Sequence, residues 1–378
     1  MLKRSITLLL CSLSLTLAHA ASIPVPAAPK LAASSYLLMD YDSAEMLVEH
    51  NVDERIAPAS ITKIMTAYVV YKALADGHIG HEDEVLISKK AWRMGGSRTF
   101  IEVNKRVKVS DLLMGMIVQS GNDASVALAE HVAGSEAAFA NMMNAEAQGL
   151  GLKNTQYMNT TGLPHPEHYS SARDIALLAQ ALIRDFPDQY HRYSIRKFTF
   201  NGITQYNRNK LLWRDESVDG LKTGYTETAG YCLVSSAKRD TMRLISVVMG
   251  TDGPSSRVSN SQSLLNYGFR FFETHKLYSA GEALTEARIW QGEIENLPLG
   301  LAEDLYITIP RGQYQALAAS MDLKQAINAP VNSGMAYGKV SVALNDKNIR
   351  QQPLIALKSI PEGGLWRRTV DTVLQWLE

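Results

Sequence analysis

Strand-like segments at two distant places in the chain enclose a long helical block, and this arrangement constrains the fold more than any other feature. Ser35 to Tyr41 reads as a strand, Asp42-Ser43-Ala44 as a turn, and Glu45 to Glu49 as the returning hairpin partner. Between residues 70 and 190 apolar positions recur at helical spacing, as in Val109 to Val118, Asp123 to Val132, Glu136 to Leu150 and Ala172 to Arg184. Ser171-Ala-Arg-Asp174 has the make-up of a helix opening. From Gly220 the texture changes, and Leu221 to Thr226, Tyr231 to Ala237 and Arg243 to Gly250 predict three strands joined by short turns. Ser261 to Thr274 then predicts a helix with Leu264, Leu265, Tyr267, Gly268, Phe271 and Phe272 on its apolar side. One antiparallel sheet built from both ends of the segment, with helices packed around it, accounts for the pattern and places the chain in the α+β class.

The remainder divides the chain further. Residues 1–20 have the layout of a cleaved export signal: Lys3 and Arg4, an apolar run from Ile6 to Leu17, then Ala18-His19-Ala20 as a small-x-small cleavage pattern. That run is too short for a stable membrane span. Residues 21–33 are a Pro- and Ala-rich leader, 34–275 the large α+β domain, and 276–362 a small all-β domain. The last of these is read from short alternating segments at Ala287-Arg-Ile-Trp290, Leu305-Tyr-Ile-Thr-Ile309, Gly338-Lys-Val-Ser-Val342 and Leu354-Ile-Ala-Leu357. Residues 363–378 follow a Pro361-Glu-Gly-Gly364 break. At helical angles Trp366, Val370, Val373, Leu374 and Leu377 share one face, and Arg367, Arg368, Asp371, Gln375 and Glu378 the opposite one. A terminal helix docked on its own protein competes with a helix lying in a membrane interface; two tryptophans and two adjacent arginines in an exported chain favour the membrane.

Charge and cysteine content exclude several classes. Lys plus Arg and Asp plus Glu both number 38, and loss of Lys3 and Arg4 with the signal leaves a slight acidic excess. A nucleic-acid partner would want a clustered basic excess, and none is present. Cys11 would leave with the signal, so Cys232 has no internal partner, and its apolar neighbours Tyr231, Leu233 and Val234 mark it as a small buried hydrophobe. His165, Pro166, Glu167 and His168 lie together but lack metal-ligand spacing, so no metal is expected.

Three short motifs carry chemistry. In Ser60-Ile61-Thr62-Lys63 the serine and lysine are three apart, hence neighbours on one helical face. A serine hydroxyl is a weak nucleophile until a base takes its proton. A lysine can be that base once burial or a nearby cation lowers its pKa. Ile61, Ile64 and Met65 place this helix in a core. In Ser120-Gly121-Asn122 the hydroxyl can relay a proton and the amide can hold a substrate amide. In Lys222-Thr223-Gly224 a lysine and a hydroxyl on one strand can bind a carboxylate, and the glycine lets a substrate backbone approach. An edge strand beside Ser60 would let a peptide pair with it as an added strand. Taken singly, each motif is matched by a bland reading: a helix cap, an ordinary loop, an exposed strand.

Their order changes the reading. Ser-x-x-Lys, Ser-Asp-Asn and Lys-Thr-Gly in that order are the signature of class A β-lactamases and penicillin-binding proteins, and the three motifs here follow the same order with Ser-Gly-Asn as the second. The flanks Pro58-Ala59-Ser60-Ile-Thr-Lys63, Ser120-Gly-Asn-Asp-Ala124 and Asp219-Gly-Leu-Lys-Thr-Gly-Tyr-Thr226 resemble the low-molecular-weight penicillin-binding proteins that act as D-alanyl-D-alanine carboxypeptidases (peptidase S11 type). Asn201-Gly-Ile-Thr-Gln205, Ile309-Pro-Arg-Gly312 and the amphipathic tail extend the likeness over the mature chain.

The resemblance implies a β-lactamase/transpeptidase-like domain that removes the terminal D-alanine from peptidoglycan pentapeptides. It implies acylation by β-lactams, no cofactor, and a periplasmic location on the outer face of the inner membrane through residues 363–378. It gives Ser60 as nucleophile, Lys63 as proton acceptor, Ser120 as relay to the departing D-alanine, and Asn122 as partner of the acyl side. Lys222, Thr223 and Gly224 would stand by the leaving group, and the backbone N–H groups of Ser60 and Tyr225 would form the oxyanion hole. The family often has His where Tyr225 stands, which leaves a backbone donor intact but puts rim contacts in doubt. Arg257 matches a basic position near the substrate carboxylate, and Asp174 another position near the site. A weak β-lactamase, an endopeptidase and a non-catalytic wall-binding scaffold are the alternatives. Ser-Gly-Asn in place of Ser-Asp-Asn, and the extra domain and tail, speak against the first, and the intact Ser60, Lys63, Ser120 and Lys222 against the last.

Overall fold

The structure, a computed structural model, describes residues 24–324 and 326–377. The expected export signal, the first residues of the leader and Glu378 lie outside the described residues.

Strands Ser35–Asp40, Met46–His50, Val218–Thr226, Gly230–Arg239 and Met242–Thr251 form one five-stranded antiparallel sheet. The N-terminal hairpin joins the C-terminal meander where Ser35–Asp40 pairs with Met242–Thr251. The order across the sheet is 46–50, 35–40, 242–251, 230–239, 218–226, which leaves the 218–226 strand on an edge.

The period-two alternation of these strands sorts their side chains onto two apolar faces. Leu37, Met39, Val234, Ile245 and Val247 point to one face and pack with Ile64, Met65, Ile175, Leu178 and Leu182 of the helical block. Tyr36, Leu38, Leu233, Leu244 and Val248 point to the other and meet Val258, Leu264, Leu265 and Phe269. Each fully buried leucine in such a core contributes about 2 kcal/mol. Cys232 is buried on the first face, and burial lifts its thiol to about 11, the signature of an unreactive core residue.

The helix expected over 261–274 instead spans Pro254–Phe271, nearly two turns earlier at its start. Gly253 is extended and Pro254 stands at the first helical position, where its missing N–H costs nothing. Phe272 ends the helix and begins the strand Phe272–Tyr278, which pairs with Leu305–Pro310. Successive phenylalanines fit the apolar side of either element, so spacing alone could not place the break.

The second domain carries a six-stranded sheet around Ile289, Leu297, Leu299, Val340, Val342 and Leu354. Three of the four alternating segments lie within strands Thr285–Trp290, Leu305–Pro310 and Ala336–Leu344, and the fourth runs one residue past strand Lys347–Ala356. Strand Leu317–Leu323 escaped notice because it is an edge strand with little buried surface. Buried Asp40 ties the five-stranded sheet to the strand pair 272–278 and 305–310: its carboxylate accepts from Ser43 Oγ at 3.0 Å and from Thr274 Oγ1 at 2.6 Å.

Helix Leu365–Leu377 closes the chain, and its polar side is the one that docks. Asp371 Oδ2 accepts from the Gln291 backbone N–H at 2.6 Å, Arg367 meets Glu295 at 3.3 Å, and Gln375 donates to Asn328 at 3.1 Å. The apolar side faces outward, with Trp366 82% and Trp376 88% exposed. Among the described residues no helix is long and apolar enough to cross a membrane.

Candidate active site

Ser60 does not open the long helix. It sits in a single 3-10 turn, Ala59–Thr62, that feeds directly into helix Lys63–Ala75. Ala59 holds φ +46°, a left-handed conformation that costs an alanine about 1–2 kcal/mol, immediately before the serine. The edge strand packs against this turn. A Cβ on Gly224 would stand 3.1 Å from the Pro58 carbonyl oxygen and 3.2 Å from Ile61 Cγ1. The glycine was expected to admit a substrate backbone; it first admits the Ser60 turn, and so sets the spacing between nucleophile and strand.

The three motifs converge. Lys63 Nζ lies 3.0 Å from Ser60 Oγ and donates to Asn122 Oδ1 and the Thr161 carbonyl, each at 2.7 Å. Lys222 Nζ donates to Ser120 Oγ at 2.9 Å and to the Thr223 carbonyl at 3.0 Å. Ser120 holds φ +67° between helices Val109–Val118 and Asn122–Ala133, which turns its hydroxyl toward the lysine. Asn122 Nδ2 donates to the Gly95 carbonyl at 2.7 Å. Next to it, the buried Asp123 carboxylate accepts from the backbone N–H groups of Thr99 at 2.8 Å and Phe100 at 2.9 Å, fixing the segment that walls the cleft.

Both lysines are buried, and neither has an ion-pair partner among the described residues. Loss of hydration, with the Arg208 charge acting in the same direction, pulls the Lys63 amine down to about 7. Burial, reinforced by Lys63, Arg208 and Arg257, pulls Lys222 well below the ordinary lysine range. All three partners of Lys63 are neutral oxygens. Such a group can hold a free amine near neutral pH within hydrogen-bond reach of a hydroxyl, which is the arrangement general-base activation of an alcohol requires.

These groups border a cleft of about 360 Å³ lined by Ser60, Ser120, Asn122, Thr223, Gly224, Tyr225 and Arg257, among others. Arg257 lies in the first turn of the 254–271 helix, and its Nη1 donates to the Gly224 carbonyl at 3.0 Å. Tyr225 is half exposed at the rim, and its ring stacks on Tyr231 with centroids 4.2 Å apart. Asp174 stands apart from this set. It is buried and binds the Asn154 N–H at 2.6 Å and Thr155 Oγ1 at 2.7 Å, a loop-anchoring role, and it is not among the cleft-lining residues. The sequence reading missed Gly96, Ser97, Thr161, Gly162, Leu163, Arg208 and Tyr231, all of which line the cleft. Arg208 follows the quoted Asn201-to-Gln205 stretch by three positions. Thr161 acts through its backbone carbonyl, which no side-chain pattern announces.

Comparison with known proteins bears on this geometry. Residues 22–253 match the D-alanyl-D-alanine carboxypeptidase family model, and residues 272–362 match that of the penicillin-binding protein 5 C-terminal domain. The D-alanyl-D-alanine carboxypeptidase DacA of Escherichia coli K12 is 42% identical over 99% of this chain and 96% of its own length. Penicillin-binding protein 5 from Haemophilus influenzae superimposes with a TM-score of 0.86 at 44% identity, covering 89% of this chain and 100% of that one. Penicillin-binding protein D2 from Listeria monocytogenes, in its ampicillin-bound form, gives a TM-score of 0.60 at 28% identity, covering 65% of this chain and 100% of that one.

Proposed function

The chain belongs to the D-alanyl-D-alanine carboxypeptidase family, and from that membership we propose that it removes the terminal D-alanine of cell-wall pentapeptides through an acyl-enzyme on Ser60. Lys63 takes the Ser60 proton as Oγ attacks the carbonyl between the two D-alanines. The tetrahedral oxyanion is held by the backbone N–H groups of Ser60 and Tyr225. Ser120 passes a proton from Lys222 to the departing amine as the C–N bond breaks, D-alanine leaves, and the proton that Lys63 took from Ser60 replaces the one Lys222 gave up. Asn122 orients both the Lys63 amine and the acyl side of the peptide. Thr223 and Arg257 face the terminal carboxylate, whose charge draws a proton back onto Lys222. Water then splits the ester and returns Ser60 to its starting state. One observation carries this reading: a buried amine, surrounded by neutral acceptors, lies 3.0 Å from the serine hydroxyl.

β-Lactams reproduce the scissile amide inside a strained ring, so they acylate the same oxygen and leave it slowly. The ampicillin-bound Listeria relative supports this step. The wild-type protein is expected to release one D-alanine per pentapeptide ending in D-alanyl-D-alanine, and to stop after preincubation with penicillin. Cleavage of cross-linked dimers with no release of terminal D-alanine would instead identify an endopeptidase.

Residues 34–275 form the catalytic unit of this reading, 276–362 the β unit, and 363–378 the anchor. The outward-facing Leu365, Trp366, Val373, Trp376 and Leu377 form an apolar strip on a helix whose polar side is occupied by the β unit. That polarity suits a helix lying in the lipid interface. It would hold the protein on the outer face of the inner membrane, facing the periplasm. The full mature chain is expected to sediment with anionic lipid vesicles. A form lacking 363–378 should stay in the supernatant with D-alanine release unchanged. Co-sedimentation of the truncated form would remove the anchor from the account.

A further inference from the structure

His168 is a buried histidine that the chemistry above does not use. It comes from the His165-to-His168 cluster, in which His165 Nδ1 accepts the Glu167 N–H at 3.1 Å; among the described residues no group of three or more His, Cys, Asp or Glu is placed to hold a metal ion. His168 instead has both ring nitrogens engaged. The Met158 backbone N–H donates to Nδ1 at 3.0 Å, so Nδ1 carries no proton. The ring is neutral, because burial, with the nearby charges of His165 and Lys63, pulls it down to about 4. Its single proton is therefore on Nε2, which donates to Thr62 Oγ1 at 2.8 Å.

The two ends of this bridge are what give it meaning. Thr62 lies in the chain between Ser60 and Lys63, and its side chain is buried. Met158 opens the loop that runs through Thr160, Thr161 and Gly162. Thr66 Oγ1 donates to the Thr160 carbonyl at 2.7 Å, and Lys63 Nζ donates to the Thr161 carbonyl at the same distance. Gly162, at φ +81°, presses on the Ala59 carbonyl, where any Cβ would clash. The imidazole thus closes a ring of contacts between this loop and the helix side of the nucleophile.

We propose that His168 is a positioning residue for acylation: a single-tautomer imidazole that clamps the 158–163 loop to the Ser60–Lys63 turn and so holds the Thr161 carbonyl against the Lys63 amine. The inference rests on the reading of Lys63 as base. Without the clamp the Thr161 carbonyl drifts, the amine loses one of its three neutral acceptors, and its line to Ser60 Oγ loosens. Misplacement on the order of 1 Å lowers such a step by about 10²-fold.

The test measures the acylation rate of Ser60 by labelled penicillin, the affinity of the initial non-covalent complex, and the thermal midpoint. The variants are His168→Ala, His168→Gln, Thr62→Val and the Thr62→Val/His168→Ala double. His168→Ala and Thr62→Val are each expected to slow acylation by about 10- to 100-fold with affinity nearly unchanged. Glutamine can give an N–H to Thr62 and accept the Met158 N–H, so His168→Gln should recover the rate to within about threefold of wild type. The double variant should be no slower than the slower single one, because both break one bridge. Wild-type rates in His168→Ala, no recovery in His168→Gln, or a double variant as slow as the product of the singles would each overturn the proposal. Its failure is separate from failure of the base assignment, in which Lys63→Arg would acylate normally whatever His168 does. Glutamine and Thr62→Val keep the test open if the alanine variant does not fold.

Discussion

Ser60→Ala is expected to lower D-alanine release from a pentapeptide by about 10⁴-fold or more, with the folded protein and its peptide affinity preserved. The expectation of an intact fold comes from the position of the side chain. Among the described residues Ser60 Oγ is hydrogen-bonded to Lys63 Nζ alone, and the turn is held by other contacts: the Gly224 packing and the Ile61 N–H bond to Pro58. Loss of the hydroxyl removes the atom that becomes the ester oxygen, so no acyl-enzyme can form. Water attacking in its place would lack the 3.0 Å approach to the lysine amine that the serine owes to its backbone. Residual turnover within tenfold of wild type would mean that a different group attacks the carbonyl.

Lys63→Arg should cost about 10³-fold in the acylation rate, although it keeps a cation at the same place. An arginine stays protonated across the accessible pH range and cannot accept the Ser60 proton. The wild-type rate should itself depend on pH with a definite sign. Burial holds the amine at about 7, so the free base is present above that value and disappears below it. Acylation by penicillin should therefore climb about tenfold per pH unit on the acid side and level off above about 7. In Lys63→Arg the residual rate should not follow that limb. An unchanged acid limb in the variant would assign the titrating group elsewhere.

The same burial has a consequence for stability. The unfolded chain keeps Lys63 protonated up to its ordinary value of 10.5, whereas the folded chain releases the proton near 7. Between those values the unfolded state binds more protons, so this group makes stability rise with pH. The burial that frees this amine for catalysis is therefore a cost to the fold, fully present below about 7 and lost as pH rises to 10.5.

Much of this was legible in the chain because the chemistry depends on side chains at short, fixed spacings. Ser60 and Lys63 are one helical turn apart, and that spacing survives whether the turn is α or 3-10. The sheet was legible because Leu37, Met39, Ile245 and Val247 alternate with Tyr36, Leu38, Leu244 and Val248 across two buried faces. What escaped is mainly what the backbone does. The Thr161 carbonyl, the left-handed Ala59 and Ser120, and the packing of Gly224 on Pro58 and Ile61 arise from tertiary contacts that periodicity does not encode. Asp174 shows the converse limit. The family resemblance alone places it near the site, whereas its hydrogen bonds go to Asn154 and Thr155. The tail shows a third case. Helical angles gave the two faces correctly, and only the contacts of Asp371 and Gln375 reveal that the polar one is inward.

Covalent trapping tests the central claim most directly. Mature protein is incubated with labelled penicillin, digested, and the modified peptide is sequenced by mass spectrometry. The account expects one label per chain, attached through an ester to Ser60 in the peptide that contains Ile61, Thr62 and Lys63, and no label in Ser60→Ala. A stoichiometric label on any other residue, or a labelled Ser60→Ala protein, would contradict it.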